Sequence, residues 1–344
     1  MAAPRPSASE VNAPDPALVA RFRRAFGTVS GRAPGANERI ALAVSGGPDS
    51  MAMLALAAAA FPGQVVAATV DHGLRPESAD EAAMVAGYCA EIGVTHAILR
   101  ITIPPEASDN LQSWARQERY ALLRRWAVEA GAATLATAHH ADDQAETFLM
   151  RAARGSGLSG LAAIRARQEI RVGAAVLAIV RPLLDWRGVA LRAVAEAAAI
   201  PFVDDPSNAD DRFDRTRFRA LLRAAPWIDS GLVARAAAHL AEADAELRAL
   251  IDLLWDERAL VRGGAIELSI AGLPREARRR LARRSIAAVR ADTASEAPDW
   301  SDATNIEPLL DSLEAGKSAT QAGVMASAKG DIWHFREAPA RRSH

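Results

Sequence analysis

The sequence lacks several features that would place a chain in a well-defined class. It has one cysteine among 344 residues, Cys89, which excludes a disulfide framework and any paired-cysteine metal or redox site. The formal net charge is −1, so a positively charged surface for nucleic acid has to be local. The longest apolar run, residues 51–61, is too short to cross a bilayer.

The beginning of the chain gives no sign of export. Residues 1–16 are rich in alanine, proline and serine, and they lack the basic and apolar regions of a secretory signal. We therefore expect a cytoplasmic protein that does not bind membranes. Cys89 lies among residues typical of the buried side of a helix, so we interpret it as structural.

Short apolar runs alternate with helical segments in the first half of the chain, which predicts βαβ units and a parallel sheet. The predicted strands are at residues 40–44, 65–70, 97–103, 134–138 and 171–180. After Trp227 the pattern changes to long helical stretches at 230–260 and 274–290, a short helix at 306–313 and a β-like end at 319–335.

These patterns predict an α/β fold with three parts. Residues 1–36 would be an N-terminal tail and helix, and residues 37–226 a parallel-sheet catalytic domain. Residues 227–344 would form a mainly helical region with a small C-terminal β element.

The strongest motif is Ser45-Gly46-Gly47-Pro48-Asp49-Ser50, between a predicted strand and a predicted helix. Two glycines allow a tight turn, and the helix start offers unpaired N–H groups to an anion such as a phosphate. The lysine of the GxxxxGK[ST] phosphate loop is missing. Asp49 adds a negative charge, which a divalent cation bridging it to the phosphates would neutralise. The alternative is a Gly-Gly turn with ordinary helix caps.

Two further motifs follow predicted strands. Residues 71–78 read DHGLRPES, in which His72 could contact phosphates or be part of a turn. Residues 139–147 read HHADDQAET. Asp143 and Glu146 are three residues apart and share one helix face, where they could hold an ammonium group or a metal. The alternative is an acidic helix start stabilised by the helix dipole.

The glycine motif resembles the SGGxDS signature of the PP-loop ATP pyrophosphatases, whose fold is adenine nucleotide alpha hydrolase-like. The ordered set DHGLRPES, HHADDQAET, RxxRGSG, RPLL at 181–184 and DPSN at 205–208 resembles the tRNA(Ile)-lysidine synthase family across residues 45–219. One departure is Thr216, where the family motif RNxxR has asparagine.

This resemblance implies a ligase that forms a carbon–nitrogen bond between L-lysine and the wobble cytidine of tRNA(Ile) with anticodon CAU, consuming ATP. It implies Asp49, Arg116 and His140 as catalytic residues, Asp49 as the Mg²⁺ ligand, and Asp143 and Glu146 as the lysine site. The expected ATP-binding residues are Ser45, Gly46, Gly47, Pro48, Asp49, Ser50 and His72.

Two arginine clusters are candidates for tRNA binding, although each could instead be a salt-bridged helix face. The expected RNA-binding residues are Arg212, Arg215, Arg217, Arg219, Arg279 and Arg283. The sequence does not indicate an oligomeric state.

Other functions compatible with a PP-loop stay open. A tRNA thiolase generally needs paired cysteines, and this chain has only Cys89. An ammonia-dependent NAD synthetase would leave the arginine-rich C-terminal region unexplained. A non-catalytic, nucleotide-responsive RNA-binding protein would have little reason to keep Asp49.

Overall fold

The computed structural model describes residues 13–71, 73, 77–102, 111–204, 214–293, 300 and 304–339, without the side chains of residues 111–113 and 214. The chain forms two compact units, Met1–Ala241 and Glu242–His344. Their division lies inside a long helix, whereas the sequence predicts a boundary near Trp227. The three-part division at residues 36 and 226 stays a prediction.

The first unit contains a six-stranded sheet. Its strands are β1 (Arg39–Ala43), β2 (Val65–Asp71), β3 (Thr95–Arg100), β4 (Ala132–Ala136), β5 (Arg167–Val172) and β6 (Ala175–Val180). They lie in the order β3-β2-β1-β4-β6-β5, and every neighbouring pair is parallel except β5 and β6. The predicted α/β class with a mainly parallel sheet is confirmed.

Helices cover both faces of this sheet. The helices of the first unit are α1 (Pro16–Ser30), α2 (Pro48–Ala60), α3 (Glu77–Glu91), α4 (Leu111–Glu129), α5 (Ala141–Ala153), α6 (Leu158–Leu161), α7 (Gly188–Ala197), α8 (Asp214–Ala224) and α9 (Ser230–Arg258), which continues into the second unit. Along β1, Ile40 and Leu42 enter one core and Ala41 enters the other, as expected for a strand buried on both faces. Phe22 and Phe26 of α1 belong to the first of these cores, so α1 is part of the first unit.

The prediction for the last two strands of the sheet is wrong. The sequence predicts a single strand over residues 171–180, but the structure has the antiparallel hairpin β5–β6 in this region. Gly173 takes a φ of +59°, a left-handed conformation that suits glycine and lets the chain reverse.

The second unit contains a five-stranded antiparallel sheet in the order β7-β8-β11-β10-β9. Its elements are β7 (Ala259–Arg262), β8 (Ala265–Ser269), α10 (Arg275–Thr293), α11 (Glu307–Glu314), β9 (Ala319–Gln321), β10 (Val324–Lys329) and β11 (Ile332–Glu337). The C-terminal β element is thus present, and the hairpin β7–β8 joins it. Gly263 and Gly264 make this hairpin turn with φ values of +53° and +76°.

Two features bear on the class of protein. Cys89 is fully buried, and burial raises the pKa of its thiol to about 12, so a reactive thiolate is disfavoured at neutral pH. Across the helices that the structure describes, none combines the length and apolar content needed to span a membrane.

Candidate active site

The carboxyl ends of β1 and β4 lie side by side in the middle of the sheet, with β2 on the other side of β1. In open α/β sheets the strand order reverses at such a position, and ligands bind in the crevice above it. The chain leaves β1 through the glycine motif and leaves β4 through the two histidines. The structure brings these motifs together: Asp49 Oδ2 lies 3.4 Å from His140 Nε2.

The glycine motif forms a tight loop that ends at the start of α2. Gly46 is buried with a φ of +85°, so its backbone conformation favours glycine, although a Cβ would meet only ordinary contacts with Met84 and Val85. Gly47 is the N-cap residue and provides no side-chain cap. No side chain of Gly47 accepts from the first N–H groups of α2. These N–H groups can therefore donate to a phosphate.

The two serines of the loop have different positions. The Ser50 hydroxyl is buried, accepts from the Ser45 N–H at 3.1 Å and donates to the Gly47 carbonyl at 3.0 Å. Ser45 is exposed, and its Oγ lies 3.2 Å from Ser50 Oγ. Ser50 therefore closes the loop, and the Ser45 hydroxyl donates to Ser50, because the Ser50 proton goes to Gly47. Ser45 can donate to a ligand by rotation of its exposed hydroxyl.

His140 connects the loop to α5. Its Nε2 lies 3.4 Å from Asp49 and 3.6 Å from Asp143, and its Nδ1 lies 3.5 Å from Asp142. Burial alone would lower the pKa of His140, but the carboxylates of Asp142, Asp49 and Asp143 outweigh it and raise the pKa to about 10. The Asp142 N–H lies 3.2 Å from His140 Nδ1, as it would if a neutral Nδ1 accepted a hydrogen bond from it. In the charged ring Nδ1 carries a proton and cannot accept this bond. We favour the charged form because carboxylates face both ring nitrogens.

The neighbouring histidine has the opposite charge state. Burial lowers the pKa of His139 to about 3, and nearby Asp143 opposes this shift only in part. His139 Nδ1 lies 2.9 Å from the Thr137 hydroxyl. Two adjacent imidazoles are thus held in different forms at neutral pH, an arrangement typical of functional sites.

Asp143 and Glu146, the predicted lysine site, lie against two arginines of α8. Arg215 donates from Nε to Glu146 at 2.8 Å and from a terminal nitrogen to Asp143 at 2.6 Å. Arg219 donates from Nε to Glu146 at 2.7 Å. The sequence predicts these arginines as RNA-binding and does not predict their contact with the carboxylates.

The other predicted residues lie in different places. Arg116 is exposed on α4, with its guanidinium carbon 5.1 Å from the Tyr120 ring centroid. Arg217 is exposed on α8. His72 and Arg212 lie outside the described residues.

Arg279 and Arg283 belong to α10 of the second unit, where acidic residues and a carbonyl contact them. Arg279 Nε donates to Glu307 at 2.6 Å, and a terminal nitrogen pairs with Glu276. Arg283 donates to the Thr304 carbonyl. These contacts favour a salt-bridged helix face for this cluster.

Four further hydrogen bonds near α5 are not predicted by the sequence. Arg187 Nε donates to Asp142 at 2.9 Å, and the Gly188 N–H donates to the same carboxylate at 2.7 Å. Arg151 donates to the carbonyls of Gly160 and Ala163, and so holds the loop after α5 in place. The RxxRGSG motif contains Arg151 and could have indicated the last contact. Nothing in the sequence marks Arg187 as a partner of Asp142.

Comparisons with known proteins agree with this geometry. Residues 19–225 match the family model of a PP-loop domain. Over 305 residues the chain is 42% identical to the tRNA(Ile)-lysidine synthase of Zymomonas mobilis, covering 88% of this chain and 90% of that protein. A protein of the same name from Novosphingobium aromaticivorans is 41% identical over 305 residues, covering 89% and 90%. This chain belongs to the tRNA(Ile)-lysidine synthase family.

Membership in the tRNA(Ile)-lysidine synthase family confirms the resemblance carried by the sequence motifs. A solved structure gives a more distant likeness, the U34-tRNA thiolase NcsA from Methanococcus maripaludis with its [4Fe-4S] cluster. It matches with a TM-score of 0.54 at 19% identity, covering 66% of this chain and 80% of that chain, which shows a shared fold alone.

The two loop glycines provide a matched test of the phosphate loop. Gly46→Ala places a side chain at φ +85°, which costs about 1–2 kcal/mol for a left-handed residue. We expect a lower free energy of unfolding and weaker ATP binding, measured by urea denaturation and calorimetric titration. Gly47→Ala is the control, because its nearest new contact is at 3.8 Å and its φ is −75°. If Gly46→Ala and Gly47→Ala lose equal amounts of stability and ATP affinity, the backbone strain assigned to position 46 is wrong.

The charge of His140 predicts a pH dependence of stability. Because its pKa rises from 6.5 to about 10 on folding, its stabilising effect is complete below pH 6.5 and is lost as the pH rises to 10. We expect the difference in unfolding free energy between the wild type and His140→Gln to shrink across this range. Urea denaturation without magnesium measures it, and a constant difference would mean that the ring is not charged.

Proposed function

We propose that this chain joins L-lysine to the wobble cytidine of tRNA(Ile) with anticodon CAU, forming lysidine and releasing AMP and pyrophosphate. The observation that carries this proposal is the 42% identity to a tRNA(Ile)-lysidine synthase over 88% of the chain. The crevice supports it, because a glycine loop, a partly exposed aspartate and a charged histidine lie together at the carboxyl ends of β1 and β4.

The proposed reaction has two steps. In the first, the cytidine oxygen attacks the α-phosphorus of ATP, and the bond to pyrophosphate breaks. In the second, the lysine side-chain amine attacks carbon 2 of the activated base, the bond to AMP breaks, and the amine loses a proton. Both leaving groups are anionic, so groups that stabilise negative charge at the loop favour the reaction.

ATP would lie along the loop of residues 45–50. Ser45 and the first N–H groups of α2 would donate to its phosphates, and Ser50 would maintain the loop. His72 and Pro48 belong to the same proposed ATP site. The imidazolium of His140 would add positive charge beside the phosphates.

Magnesium fits this site as an ion that arrives with ATP. No group of three acidic, histidine or cysteine side chains that could hold a metal occurs in the described part of the chain. Mg²⁺ needs only one or two carboxylates besides phosphate oxygens and water, and the Asp49 side chain is one-third exposed. Asp49 would hold the ion, which would neutralise the charge of the leaving pyrophosphate.

Arg116 and His140 are the proposed catalytic side chains besides Asp49. Arg116 is exposed on α4 and free of a resolved carboxylate contact among the described residues, so its guanidinium could reach a phosphate of bound ATP. His140 would keep its proton throughout, which favours charge stabilisation over general-base catalysis.

Asp143 and Glu146 are the proposed site for the lysine amine, since two adjacent carboxylates suit an ammonium group. Burial would raise the pKa of Asp143, but nearby His140 and Arg215 outweigh it and lower the pKa. A carboxylate with a lowered pKa holds a cation well and takes a proton poorly. We therefore assign Asp143 to binding of the amine and not to its deprotonation, and propose Glu146 as the second carboxylate that contacts the amine.

A labelled-lysine assay tests the proposed function. The protein, ATP, magnesium and unmodified tRNA(Ile) with anticodon CAU should incorporate labelled L-lysine into the tRNA. A methionine tRNA with the same anticodon is the control and should stay unlabelled. Asp49→Asn should abolish incorporation because the proposed magnesium ligand is lost. Absence of label with wild-type protein that binds ATP would reject lysine ligation and leave a PP-loop enzyme with another substrate.

The role of each arginine cluster in tRNA binding can be tested separately. Arg217→Glu changes an exposed side chain and should weaken tRNA affinity, most strongly at low salt, without lowering the melting temperature. Arg279→Glu removes ion pairs to Glu276 and Glu307 and should lower the melting temperature.

Filter binding and thermal denaturation measure both effects. If Arg279→Glu folds and binds tRNA with wild-type affinity, Arg279 is not part of the proposed RNA surface. Wild-type affinity in Arg217→Glu would exclude Arg217 in the same way.

A further inference from the structure

The α5–α8 charge cluster consists of Asp143, Glu146, Arg215 and Arg219. Every carboxylate oxygen in it accepts a hydrogen bond. Asp143 Oδ1 accepts from Arg215, and Oδ2 accepts from the His140 N–H at 3.1 Å. Glu146 Oε1 accepts from Arg219, and Oε2 accepts from both arginines, at 2.8 Å and 3.3 Å. The proposed lysine site is therefore already occupied by guanidinium groups.

Because the cluster is buried, an unpaired charge in it would be costly. The Glu146 side chain is 3% exposed and that of Asp143 is 13% exposed. Without Arg215, Glu146 would keep Arg219, but Asp143 would keep only His140, whose ring also faces Asp49 and Asp142. The buried pair would then be short of one positive charge, so the departure of Arg215 is costly unless another cation takes its place.

The two arginines contact different carboxylates. Arg215 bridges Asp143 and Glu146, whereas Arg219 directs both its Nε and a terminal nitrogen to Glu146 alone. An ammonium group placed between the two carboxylates would replace the contacts of Arg215. The pair of Arg219 and Glu146 could stay intact, and the cluster would keep two positive and two negative charges.

We propose that Arg215 occupies the lysine-amine site when no RNA is bound, and that L-lysine enters by exchange with this side chain. The inference rests on the proposed function, which places the amine at Asp143 and Glu146. The displaced guanidinium needs a new anion, and an RNA phosphate supplies one, since arginine pairs with phosphate through two parallel hydrogen bonds. Arg215 thereby links RNA binding to lysine binding, and lysine binds tightly only after the tRNA.

Equilibrium dialysis of labelled L-lysine against the full chain, without ATP, tests the exchange. For the wild type, adding the unmodified tRNA(Ile) transcript should tighten lysine binding about tenfold, within the range typical of coupled sites. Arg215→Gln should bind lysine about tenfold more tightly than the wild type without tRNA, and should gain little from tRNA. Weaker lysine binding in Arg215→Gln, or a wild-type affinity that tRNA does not change, would overturn the proposal.

Further variants separate the possible causes of failure. Arg223→Gln is the matched control, since Arg223 is exposed in the last turn of α8 and its Nε donates to the Arg219 carbonyl at 3.4 Å. This variant should bind lysine as the wild type does. Asp143→Asn removes a proposed acceptor of the amine and should weaken lysine binding. Unchanged affinity there would reject the lysine site itself, whereas a loss there without a gain in Arg215→Gln would reject only the exchange.

Thermal denaturation checks that Arg215→Gln folds. If it does not, the wild-type chain decides the exchange, because tRNA should tighten its lysine binding about tenfold and an unchanged affinity would overturn the proposal.

Discussion

Three carboxylates lie within five residues at the start of α5, and each requires a positive partner because the surrounding protein excludes most of the water. Asp142 is paired with Arg187, and Asp143 and Glu146 with arginines of α8. The ring of His140 lies among the carboxylates and carries a proton for the same reason. The acidity of this turn thus dictates which side chains surround it.

The partners of this turn come from distant parts of the first unit. Arg187 directly precedes α7, α8 carries two further arginines, and Asp49, which faces His140, comes from the first turn of α2. Because each pairing needs both of its elements in place, the charge arrangement forms only together with the fold. Changes in α7 or α8 should therefore reach the residues of this turn through the carboxylates.

Much of the architecture could be predicted from the sequence, because it depends on local signals. Alternating apolar runs and helices predicted the parallel sheet, and the glycine motif predicted the tight loop between β1 and α2. The missed hairpins at Gly173 and at Gly263–Gly264 had a local signal too, a glycine turn between short β-forming runs. The contact between Arg215 and Glu146 has no such signal, since 69 residues separate the two and only the packed fold brings them together. The roles of the site residues remain predictions.

The order of strands also has a consequence for synthesis of the chain. Strand β1 is completed on one side by β4, which follows about 90 residues later, and the apolar helix α2 is covered in part by α7, which follows later still. Native pairing of the central strand must therefore wait until most of the first unit has left the ribosome. Until α7 has also been translated, part of the apolar surface of α2 is exposed to other nascent chains. A chaperone that bound α2 would therefore be needed until translation has passed α7.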